Sequence, residues 1–132
     1  MKSSKHDIQS EQGQTMTEFA MVLPLLVVLL LGIIQFGIAF NNYVALTDAV
    51  RAASRKGAVS RESGDPVGNC TTAGYAAGGD LDQAKLKISC SYSGMQPGAD
   101  VTVTGTYPYS IDLLGWVVQS GDLKTEIKER VE

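Results

Sequence analysis

From Phe19 to Phe40 the chain runs for 22 residues without a charge. At ~1.5 Å per residue a helix of that length covers about 33 Å, against ~30 Å for the hydrocarbon core of a bilayer. The run predicts a membrane-spanning helix over 19–40. Pro24 would break a soluble helix, but such kinks are tolerated in membranes. Gln35 is the one strongly polar side chain inside the run. It reads either as an interfacial amide or as a contact with a neighbouring helix.

The pattern changes after Phe40. Tyr43, Leu46, Val50 and Ala53 fall on one helical stripe, and Arg51 and Arg55 lie on another face. The helix is therefore expected to continue, its stripe packed on a small domain, until Gly57 stops it. Residues 58–80 are rich in turn signals, among them Gly64-Asp65-Pro66, Gly68-Asn69 and Gly78-Gly79-Asp80, and read as an ordered loop tied down at Cys70.

Beyond that loop the period becomes two. Leu86, Ile88, Cys90 and Tyr92 alternate with polar residues, as do Val101, Val103, Gly105 and Tyr107, which predicts two half-buried strands. Gly94-Met-Gln-Pro-Gly98 between them suits a hairpin with a longer loop. Pro108 is expected to end the second strand. Ser110 would then cap a short apolar helix, Ile111–Val118, with Trp116 in the core. Residues 122–131 fit both periods, and the local propensity of Lys124–Arg130 favours a helix. The fold class is α+β: a long N-terminal helix, then a small antiparallel sheet.

Composition narrows the function. The net charge of −3 supplies no basic field for nucleic acid, and His6 is the sole histidine. If the first residues are removed, no Ser/His/Asp, Cys/His or His-based metal site can be assembled. The chain reads as a non-enzyme without cofactor or metal. Asp65, Asp80 and Asp82 are oxygen donors of the kind calcium takes, but they lack EF-hand spacing. Cys70 and Cys90 both follow the apolar run, and two cysteines in a small extracytoplasmic domain read as one disulfide. Flanking charge opposes that orientation: Lys2 and Lys5 precede the run, while Arg51, Arg55 and Lys56 follow it. The cysteine pair outweighs it.

The start of the run carries a motif. Gly13-Gln14-Thr15-Met16-Thr17-Glu18-Phe19 ends a short polar leader in glycine, then places an acidic residue against the apolar helix. Cleavage after Gly13 would make Gln14 the first residue and Glu18 the fifth. The new α-amino group would be charged, and a carboxylate one helical turn on can meet it. A lone carboxylate in an apolar filament core is expensive, whereas a paired one is tolerable, so Glu18 would act as a register device. An ordinary signal peptide is the rival. Gly37-Ile38-Ala39 offers small residues for cleavage, but the apolar run exceeds the ~7–15 residues of an h-region, and Glu18 stands where positive charge is wanted.

The stretch Gly13-Gln-Thr-Met-Thr-Glu-Phe-Ala-Met-Val-Leu-Pro-Leu-Leu resembles the start of the TadE-like pseudopilins of tight-adherence (Tad/Flp) pili. Asn41–Gly57 resembles their Asn/Ala-rich helical extension, and Arg130-Val131-Glu132 their usual ending. Lys56 stands where many members carry a small residue. The resemblance implies a pilin-like fold with a leader at 1–13, a long helix at 14–57 and an extracytoplasmic domain at 58–132, in which 122–131 form a closing strand rather than a helix. It also implies a minor pilin, cleaved by prepilin peptidase at Gly13/Gln14, with Glu18 and Phe19 setting assembly. The partners implied are the peptidase, other pilins, an inner-membrane assembly platform and membrane lipid. The location implied is the bacterial inner membrane, then the pilus surface. The alternative is an uncleaved single-span protein with an extracytoplasmic binding domain.

Overall fold

The computed structural model describes residues 5–132, with side chains from Gly13 onward. Residues 1–4 of the expected leader and the side chain of His6 lie outside the described residues. The element order is α1 (Lys5–Ala58), α2 (Pro66–Ala77), β1 (Lys87–Tyr92), β2 (Asp100–Leu113) and β3 (Trp116–Arg130).

Helix α1 has 54 residues and contains Pro24. At ~1.5 Å per residue it is about 80 Å long. One stretch of it, within Gly13–Ala58, is long and apolar enough to cross a membrane. The helix ends one residue beyond Gly57. Its C-terminal part supplies the core stripe, where Leu46, Ala49, Val50 and Ala53 are fully buried. Tyr43 does not belong to that stripe as expected; it is 43% exposed.

The three strands form one antiparallel sheet in the order β1-β2-β3. Val101, Val103 and Tyr107 of β2 turn the same face inward as Ile88 and Cys90 of β1. Both helices lie on that face. Strand β2 runs antiparallel to α1: Val101 lies against Gly57, Gly105 against Val50 and Leu46, and Asp112 beside Gln35. The lengths agree, since 22 helical residues rise about 33 Å and 11 strand residues about 36 Å. Gly105 is where sheet and helix come closest. A Cβ there would overlap Val50 Cγ2 and come within 3.0 Å of Leu46 Cδ1.

Residues 58–80 are not a loop throughout, because Pro66–Ala77 form α2. Asp65 caps it, accepting from the Gly68 N–H at 2.8 Å, and Pro66 occupies its first turn. Asp65-Pro66 thus starts a helix instead of a turn. Cys70 on α2 and Cys90 on β1 form the disulfide, and both are buried.

The chain's end departs furthest from the sequence pattern. Pro108 does not end β2, and Ser110 does not cap a helix. β2 continues to Leu113, turns at Leu114-Gly115, and pairs with β3 from Leu113↔Trp116 to Asp100↔Arg130. Pro108 is harmless because β1 pairs β2 only as far as Thr106, so beyond that residue one edge of β2 has no strand to bond. Trp116 is consequently not core: it is 82% exposed. Residues 122–131 do close the sheet through Arg130, with Val131 buried beyond it. The Val131 N–H donates to Ala99 and that of Glu132 to Ala58, tying the tail to the end of α1.

Candidate functional site

Gly13, Gln14, Glu18 and Phe19 all lie on α1, in its continuous helical stretch. The Gln14 amide donates to a Glu18 carboxylate oxygen at 3.4 Å, and the Thr17 hydroxyl donates to the Gly13 carbonyl at 2.9 Å. Glu18 thus reaches back one turn, to the residue that would become the first of a chain cut after Gly13. Apart from the backbone of its own helix and its chain neighbours, nothing among the described residues lies within 4 Å of the position a Gly13 Cβ would take. Phe19 is exposed, as are Met16 and Met21 beside it. Gln35 hydrogen-bonds to β2, and it stands 22 residues, about 33 Å, along the helix from Gly13. The segment is unencumbered by its own domain.

An exposed apolar surface continues from it. Leu25, Leu26, Leu29, Leu30, Ile33 and Phe36 all face outward. Among the described residues no element covers this surface, which leaves lipid or other proteins to take it out of water.

Residues 13–55 match the family model of the TadE-like proteins. The TadE-like segment starts at Gly13 and ends at Arg55, within the last turn of α1. It therefore takes in the candidate cleavage position, the apolar run and the core stripe, and leaves α2 and the sheet outside. No curated protein and no solved structure gives a significant match to the chain. The disulfide-tied sheet domain rests on its own geometry.

The remaining candidates are placed as follows. Asp65 caps α2, while Asp82 accepts from the Ala84 N–H and pairs with Lys85 at 3.4 Å. Among the described residues no group of three or more His, Cys, Asp or Glu side chains is placed to hold a metal ion. Two polar links went unread in the sequence. Ser54, buried on α1, donates to Glu129 of β3 at 2.8 Å, and Gln35 donates to the backbone carbonyl of Asp112 at 3.1 Å. No local signal marked the second, because Pro108 interrupts the strand pattern before Asp112 is reached.

Proposed function

We propose that the chain is a minor pilin or pseudopilin of a Tad-type pilus, anchored by α1 and cut after Gly13 by prepilin peptidase. The observation that carries this reading is the TadE-like segment opening at Gly13 on a helix that its own domain leaves bare. The peptidase reaches the bond on the cytoplasmic face, where glycine both clears the approach and weakens the helix by about 1 kcal/mol relative to alanine. The disulfide-tied domain lies on the opposite side of the inner membrane.

Cleavage frees an ammonium group on Gln14, one turn from the Glu18 carboxylate. Paired with it, or with the ammonium of a neighbouring subunit, Glu18 enters an apolar filament core without an isolated charge. Phe19 and the exposed aliphatic residues after it supply the packing surface. The chain's role is structural: it joins or primes the pilus alongside other pilins on the inner-membrane assembly platform.

Intact-mass measurement of the protein from its native host tests this. Loss of residues 1–13 is expected. Loss of residues 1–39 would instead identify an ordinary signal peptide, and an unshortened chain a plain membrane anchor.

A further inference from the structure

We infer that the β2–β3 hairpin tip is a second membrane contact, seated in the lipid interface of the leaflet on the domain's side. The inference rests on α1 spanning the bilayer. Given that span, the depth of the tip follows from one bond: the Gln35 amide donates to the Asp112 carbonyl at 3.1 Å. Gln35 lies five residues inside the apolar run, about 7 Å before its end at Phe40. Beyond that bond the hairpin runs on, antiparallel to α1, toward Ile34 and Ile33, which face outward on the same stretch of helix.

The tip is made for that level. Leu114 is 74% exposed and Trp116 82% exposed, with Val117 and Val118 exposed beside them. No charged residue occurs from Leu113 to Gly121. Indole rings favour the membrane–water boundary, apolar body inward and N–H toward the headgroups. Ser110 pairs with Ser120 just behind the tip, and the Asp112 carboxylate accepts from Ser110.

Two features that look misplaced in water are explained together. The turn residues Leu114 and Gly115 have φ of 52° and 87°, the all-positive geometry that favours Asn-Gly or Asp-Gly. Leucine there is poor turn chemistry, and its exposed side chain gains nothing from the rest of the chain. It gains in lipid. Gln35 is likewise the lone amide of an apolar span. It supplies a partner for a strand-edge carbonyl that hydrocarbon cannot hydrogen-bond.

The chain contains one tryptophan, so the full-length protein reports on its own tip. It is reconstituted into phosphatidylcholine vesicles doped with lipids brominated at shallow or deep acyl positions. Blue-shifted emission, quenched most by shallow bromines and little by aqueous iodide, is the expected result. Leu114→Asn, which suits the turn, should leave the fold intact and lose most of the shallow quenching. Water-like emission open to iodide, from protein that still resists carbonate extraction, would overturn the tip contact while sparing the span. Emission shielded only as the protein-to-lipid ratio rises, without bromine quenching, would overturn it in favour of a second copy. Release of the protein by carbonate would remove the span itself.

Discussion

The phenolic hydroxyl of Tyr92 on β1 donates to the carbonyl of Gly57 at 3.1 Å, in the last turn of α1. It also lies 3.2 Å from the Pro66 carbonyl at the start of α2. One side chain thus joins the sheet to the end of one helix and the beginning of the next. Carbonyls in a last helical turn lack intrahelical partners, and this hydroxyl supplies one. Tyr92→Phe keeps the ring and removes the bond, so a loss of about 1 kcal/mol is expected in denaturant unfolding of the full chain in detergent.

The same residue predicts a response to alkali. Burial pushes the Tyr92 phenol above its usual value of 10.0. The unfolded chain therefore ionises first as pH rises. The stabilisation is fully present below the ordinary tyrosine range and is lost as pH climbs through it toward the folded value. The difference in unfolding midpoint between wild type and Tyr92→Phe should shrink over that interval. A constant difference would remove Tyr92 as the titrating group.

Cys70 and Cys90 are 20 positions apart and tie α2 to β1. In the chain-entropy picture a loop of that size contributes about 3 kcal/mol. The Cys70→Ser/Cys90→Ser double variant should melt well below wild type, and reductant should lower the wild-type midpoint toward it. Both sulfurs are buried, so reduction should be slow until the domain opens.

Gly105→Ala should destabilise the domain by about 1–3 kcal/mol through overpacking. The added methyl meets Val50 on α1, whose branched side chain is held in one rotamer by the helix. In the Gly105→Ala/Val50→Ala pair the two losses should fall short of additive, because truncating Val50 opens the space the methyl needs. Strict additivity in a double-mutant cycle would place the clash elsewhere.

Processing and assembly should separate at two residues five positions apart. The space around Gly13 is open, so Gly13→Phe should leave the domain's stability unchanged yet block maturation, read as an unshortened chain in the native host. Glu18→Ala removes an exposed hydrogen bond to Gln14, worth within about 0.5 kcal/mol. That variant should be cut normally and fail to enter pili. Normal processing of Gly13→Phe would sink the peptidase assignment, and full piliation with Glu18→Ala the register role.

The long helix, its apolar face and the first two strands were legible in residue order because each depends on local periodicity. A run of 22 uncharged residues and an apolar/polar alternation read the same in any surroundings. The disulfide was legible too, since two cysteines on one side of the apolar run leave a single pairing. Helix α2 was obscured because Asp65-Pro66 opens either a turn or a helix, and the glycines after it look like breakers until their close neighbours are known. Gly74 lies against Ile88 and Ala53, where a side chain would not fit.

The last third of the chain could be settled only by contacts distant in sequence. Pro108 argues against a strand unless the neighbouring strand has already ended, and that is a matter of register with β1. Trp116 argues for a core unless the hairpin outruns the core, and the length of β2 decides that. Local pattern cannot encode either fact, because both are relations between segments: how far one strand extends past its partner, and what stands beside it when it does. Paired with Leu113, one residue past the Asp112 that Gln35 holds, the same Trp116 is exposed instead of buried.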